Sequence, residues 1–110
     1  MFNLFKTTPD RYQNIQADEF RKLQTGKDVV VLDVRTTQER ADANIPGSIH
    51  LDFFNPNFET ELARLDQSKT YLVYCRSGNR SAKTCRKMGD KGFTQLYNLS
   101  GGIGAWMRSR

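Results

Sequence analysis

Two uninterrupted apolar runs, Val29-Val30-Val31-Leu32 and Tyr71-Leu72-Val73-Tyr74, most constrain what this chain can fold into. A strand with one wet face alternates apolar and polar residues. A run that is apolar at every position suits a parallel strand buried on both faces. Parallel strands need long, usually helical, crossovers, and the flanking segments have that character. Residues 17–23 read as a helix, with Phe20 and Leu23 three apart on one face and Gly26 as a stop. Thr37-Gln38-Glu39-Arg40 reads as a polar helical turn, broken by Ile45-Pro46-Gly47. Residues 57–65 place Phe58, Leu62 and Leu65 at i, i+4 and i+7. Residues 81–88 read as a helix ending near Gly89 or Gly92, with Ala82, Cys85 and Gly89 on its inner face. Short strands are expected at Ile15-Gln16, Ser48-Ile49-His50-Leu51 and Gln95-Leu96-Tyr97, and one short closing helix after Gly101-Gly102. The alternation predicts an α/β domain: a mainly parallel central sheet flanked by helices on both faces. The 110 residues suffice for one such domain, with a core spanning about 12–108. No repeat or linker divides them.

No segment approaches the ~20 consecutive apolar residues of a membrane span. Residues 1–10 lack the basic start and apolar stretch of a secretory signal. Two cysteines in such a chain read as reduced thiols, and the expected location is cytoplasmic. The net charge of +5 is unevenly spread. Residues 1–63 carry seven basic and ten acidic side chains, and residues 64–110 carry ten basic and two acidic. Excess positive charge can steer a small anion toward a site. A nucleic-acid surface would interleave stacking aromatics with its basic residues. This segment does not, so no nucleic-acid partner is expected; Lys83, Arg86 and Lys87 read as the solvated face of a helix.

The second apolar run leads into Cys75-Arg76-Ser77-Gly78-Asn79-Arg80. A cysteine thus stands where a strand ends and a helix begins. The loop has no proline, so each residue from 76 to 80 offers a backbone N–H. Helix N-termini and converging N–H groups bind anions, and two arginines add positive charge. Such surroundings favour thiolate over thiol. In parallel α/β folds, ligands collect beyond the carboxyl ends of the strands. Asp33-Val34-Arg35, the Cys75 loop and the Gly101-Gly102 turn all fall there.

These segments resemble the rhodanese family, in particular its small single-domain sulfurtransferases of the thiosulfate:cyanide type. Val31-Leu32-Asp33-Val34-Arg35, Ile45-Pro46-Gly47-Ser48-Ile49-His50, Cys75 to Ser81, and Gly101-Gly102-Ile103-Gly104-Ala105-Trp106 match the family's four motifs in order. The likeness runs from about Ile15 to Trp106. Two positions depart from the pattern. Ala43-Asn44 stands where the family often has Gly-His, and Ser48 replaces a usual alanine, a change expected to be silent. The second, inactive domain of tandem members is lacking, so the site is expected to be shallow and open.

The resemblance implies two-step covalent catalysis. The Cys75 thiolate takes the outer sulfur of thiosulfate and releases sulfite. The persulfide lies in the loop formed by Arg76, Ser77, Gly78, Asn79 and Arg80, and cyanide or a thiol acceptor removes its outer sulfur. Related phosphatases of the same fold use Cys-x5-Arg, whereas Cys75 to Arg80 is Cys-x4-Arg, sized for one extra sulfur atom. The alternative is a persulfide carrier loaded by a sulfur-donor protein and emptied by an acceptor protein. Arg76 and Arg80 are candidates for the sulfonate of thiosulfate; Arg80 equally suits a structural pairing, with Asp33 as one candidate partner. Asp33 and Arg35 read as supports that brace the loops. Cys85 reads as a core residue, His50 as a strand-end residue, Trp106 as a packing anchor, and Phe53 and Phe54 as core. One histidine and two separated cysteines make a poor metal site. With no phosphate-binding or dinucleotide fingerprint, no cofactor is expected.

Overall fold

A computed structural model describes residues 11–109. Residues 1–10, read above for a signal sequence, lie outside the described residues. The elements follow in order as β1 (Gln13–Ile15), α1 (Ala17–Leu23), β2 (Val29–Asp33), α2 (Thr37–Asp42), β3 (Ile49–His50), α3 (Phe58–Ala63), β4 (Thr70–Tyr74), α4 (Asn79–Asp90), β5 (Leu96–Leu99) and α5 (Gly102–Arg108). Every strand pairing is parallel, and the sheet order is β1-β5-β4-β2-β3.

The two apolar runs become the two inner strands β2 and β4, in register from Val29 with Thr70 to Asp33 with Tyr74. Successive side chains on a strand point to opposite faces. Tyr71, Val73 and Cys75 therefore join one core cluster with Phe58, Leu62, Cys85 and Met88 of α3 and α4. Leu72 and Tyr74 join the other, with Ala17 and Phe20 of α1 and Ile103 of α5. Both faces are covered by helices, which is why these runs contain no polar residue at alternate positions.

In α4 the buried stripe is Ser81, Thr84, Cys85, Met88 and Gly89. Ala82, assigned to that stripe from the sequence, is only half-buried. The helix α3 stops before Leu65, whose N–H bonds the Leu62 carbonyl at 3.1 Å in a closing turn and which still packs on the core. No helix among the described residues is long and apolar enough to cross a membrane. At the carboxyl edge of the sheet, β2, β4 and β5 deliver Asp33, Cys75 and the Gly101-Gly102 turn side by side.

Candidate active site

Cys75 directly follows β4, and its side chain has no solvent exposure. The chain then turns back through Gly78, which has φ of +104° and caps α4. Only glycine takes that conformation freely. A Cβ there would also sit 3.3 Å from the Leu99 carbonyl oxygen. The turn aims donors at the sulfur: the Gly78 N–H at 3.1 Å, the Ser81 N–H at 3.4 Å and the Ser81 hydroxyl at 3.3 Å. Burial pushes the Cys75 thiol up, but the hydrogen bonds from Ser81, Gly78 and Ser77 outweigh it and leave the pKa lowered. Hydrogen bonds to the charged form have that effect. Ser81 was not among the site residues read from the sequence. Its signal was positional: it lies in the first turn of the helix that the loop opens.

The loop is braced from below and behind. The Ile103 N–H donates to the Cys75 carbonyl at 3.0 Å. Gly102, at φ +67°, lies so close that a Cβ would meet the Arg76 carbonyl oxygen at 2.0 Å. Asn98 of β5 donates from Nδ2 to the Gly78 carbonyl at 3.2 Å and to Asn14 Oδ1 at 2.9 Å. The Gly-Gly turn is thus a contact surface for the cysteine loop.

Asp33 is fully buried and collects five hydrogen bonds. Oδ1 accepts from the Arg35 N–H and Nε at 2.9 and 3.0 Å, and Oδ2 from Arg35 Nη2, Arg40 Nη1 and the Tyr74 hydroxyl at 2.9, 3.1 and 3.0 Å. Burial pushes its carboxyl up, and the Arg35 hydrogen bonds and charge override that and hold it low. Arg35 also donates to the Ala43 carbonyl, so the contact at this departure from the family motif is made through backbone. Ser48 is not silent. Its hydroxyl donates to the Ile45 carbonyl at 2.7 Å, receives Arg40 Nη1 at 3.0 Å and lies 3.1 Å from the Tyr74 hydroxyl. An alanine would leave those polar groups one partner short.

Arg80 pairs with Glu39, not Asp33. The two side chains meet fork to fork at 2.8 and 2.9 Å. Glu39 also closes a capping box on α2, its Oε1 accepting from the Thr36 N–H at 2.9 Å while the Thr36 hydroxyl accepts from the Glu39 N–H at 3.2 Å. These hydrogen bonds, those from Arg80 first, hold the Glu39 carboxyl down at about 2. Arg76 is exposed, with no ion pair or hydrogen bond from its side chain among the described residues. Ser77 and Asn79 are exposed as well.

Cys85 is fully buried in the core, and burial pushes its thiol well up, away from thiolate chemistry. His50 ends β3 with Nε2 2.7 Å from the Arg35 carbonyl oxygen. Trp106 anchors α5 to α1: its Nε1 donates to Gln24 at 2.8 Å and Arg21 lies 3.7 Å from its ring centre. The aromatic pair departs from the core assignment. Phe53 packs on Phe58, but Phe54 is 66% exposed and stands 5.8 Å from the Arg80 guanidinium. The turn at Asp52 presents it outward, its carboxylate taking the Phe54 N–H. Beside the loop opens a groove of about 280 Å³ lined by Arg35, Glu39, Asp42, Ala43, Arg76 and Ile103. The groove reaches the loop, while the sulfur itself is covered.

Comparison with known proteins agrees with this geometry. Residues 16–109 match the rhodanese-like domain. A sulfurtransferase of Allochromatium vinosum is 32% identical over 88 residues, 80% of each chain. The thiosulfate sulfurtransferase GlpE of Coxiella burnetii is 30% identical over 95 residues, 86% of this chain and 87% of that protein. Among solved structures, a rhodanese-like domain protein of Staphylococcus aureus superposes with a TM-score of 0.75 at 30% identity, covering 86% of this chain and 90% of that one.

Proposed function

Because this chain belongs to the rhodanese family of sulfurtransferases, we propose that it moves the sulfane sulfur of thiosulfate to cyanide or a thiol through a persulfide on Cys75. The Cys75 thiolate bonds the outer sulfur of thiosulfate. The sulfur–sulfur bond of thiosulfate breaks, and its electron pair leaves with sulfite. The persulfide anion then lies among the donors that already face Sγ, and the acceptor takes the outer sulfur as the Sγ thiolate is restored. Sγ is covered at rest, so the first step includes its exposure to the groove. The observation that carries this reading is a buried sulfur faced by three donors, the Gly78 N–H, the Ser81 N–H and the Ser81 hydroxyl, which favour the thiolate against burial. No general base is needed once the thiolate is present.

The Arg80–Glu39 fork supports sulfur transfer over phosphate hydrolysis. An arginine held bidentate by a carboxylate has fewer free donors for a phosphate. The test is the intact mass before and after thiosulfate, then after cyanide. The expected result is a gain of one sulfur atom on Cys75, discharged as thiocyanate and absent in Cys75→Ser. A Cys75→Ser protein that still transfers sulfur would refute the assignment.

A second reading, a carrier loaded by a donor protein, is favoured by exposed Phe54 at the rim of the loop. Large apolar side chains in that position suit a protein contact. Fast loading by a desulfurase with slow loading by thiosulfate, and loss of the former in Phe54→Ser, would select it.

A further inference from the structure

We infer that the groove beside the loop selects small dipolar thiols as acceptors, with Asp42 taking the acceptor's ammonium group and Arg76 its carboxylate. This rests on the sulfur-transfer reading. Four charged residues line the groove. Two are spent within the protein, Arg35 on Asp33 and Glu39 on Arg80. The other two, Asp42 and Arg76, are exposed and have no ion pair or side-chain hydrogen bond among the described residues. Asp42 is the last residue of α2. A carboxylate at a helix C-terminus adds to the negative end of the helix dipole, where a basic residue is the stabilising choice. That position therefore opposes stability and offers a cation site. Thiosulfate, carrying only negative charge, can use Arg76 but is repelled by Asp42. A ligand with both signs uses both. The apolar part of the groove lining is Ala43 and Ile103, which suits a short aliphatic body.

In the transfer step the acceptor's sulfur bonds the outer sulfur of the persulfide. The sulfur–sulfur bond to Cys75 breaks, its electron pair returns to Sγ, and the acceptor's proton stays on the new persulfide. The test loads the protein with thiosulfate, verifies one added sulfur by mass, removes excess donor and measures discharge by three thiols: cysteine, cysteamine and 3-mercaptopropionate. Ratios between wild type and variant cancel the intrinsic reactivity of each thiol. In Asp42→Asn, discharge by cysteine and cysteamine should fall relative to 3-mercaptopropionate by roughly threefold, the size of one exposed charge contact. In Asp42→Lys the preference should invert toward 3-mercaptopropionate, and added salt should flatten the ratios in every form. Unchanged ratios in loaded variants would overturn the groove assignment and leave sulfur transfer standing. Discharge of loaded protein only by a protein acceptor, and by none of the three thiols, would overturn it in favour of a protein partner. If the wild-type chain does not load from thiosulfate, the thiosulfate reading falls and this assignment falls with it, whereas a chain that loads but shows unchanged ratios loses the assignment alone.

Discussion

Replacing Gly102 by alanine should separate two effects that glycines in this fold combine: freedom of φ and absence of a side chain. At Gly102 φ is +67°, and a Cβ would stand 2.0 Å from the Arg76 carbonyl oxygen, 2.3 Å from its carbon and 2.8 Å from the Cys75 oxygen. Backbone atoms are not flexible side-chain ends, so the loop itself must retreat by about 1 Å before the contact reaches even 3.0 Å. That movement breaks the Ile103 N–H bond to the Cys75 carbonyl. The left-handed conformation costs about 1–2 kcal/mol for a non-glycine residue, overpacking about 1–3 kcal/mol, and the broken hydrogen bond about 1 kcal/mol. Gly102→Ala should therefore lose about 3–6 kcal/mol. Gly47 supplies the control: its φ is +83°, but nothing lies within 4 Å of its Cβ position. Gly47→Ala should lose only the conformational part, about 1–2 kcal/mol. Urea unfolding of both variants gives the comparison. The folded Gly102→Ala fraction should also load sulfur from thiosulfate far more slowly, while Gly47→Ala loads normally. Equal destabilisation of the two, or normal loading by Gly102→Ala, would refute the reasoning that this turn shapes the cysteine loop.

Ser81→Ala removes one donor to Sγ, so the Cys75 pKa should rise; the pH dependence of iodoacetamide alkylation measures it, and an unshifted profile would deny the hydroxyl its role. Glu39, held at about 2 against a usual 4.5, stabilises the fold fully above 4.5 and loses that contribution as pH falls toward 2. Glu39→Gln should cost about 1–2 kcal/mol at neutral pH, allowing for partial exposure, and its deficit against wild type should shrink across that acid window in urea titrations at stepped pH. Cys85→Ser should keep most of the sulfur-transfer rate per folded molecule while losing about 1–2 kcal/mol for a buried hydroxyl. A large rate loss with intact circular dichroism would return Cys85 to the chemistry.

The sheet and the cysteine loop were legible because their signals are local. The runs at 29–32 and 71–74 allow few environments, and Ala17–Leu23 forms the helix that Phe20, Leu23 and Gly26 mark out. What escaped depends on distance along the chain. Thr36-x-x-Glu39 has the spacing of a capping box, a signal that was present and unused. That Glu39 also clasps Arg80, 41 residues on, is set by the packing of α2 over the loop. The same holds for Ser48. A serine in place of alanine looks neutral until Tyr74 and Arg40 are brought to it by two other elements. Phe54 failed in the opposite direction: its composition says core, but the turn at Asp52 presents it outward. Asp33 was placed at the right edge of the sheet, though its partners are Arg35, Arg40 and Tyr74.

The strand order also sets a schedule. The strand made first, β1, has one neighbour, β5, the strand made last. Such non-local pairing cannot begin until nearly all of the domain has been synthesised. A growing chain can align β2 with β4 and close the first turn of α4 around Cys75 while Asn98, Gly102 and Ile103 are still unmade. For a period on the order of seconds at ordinary synthesis rates, Cys75 exists without the brace that fixes its carbonyl. The contacts that brace the Cys75 loop thus form only when the first and last strands of the domain are both present, so the loop is completed late in the assembly of the fold.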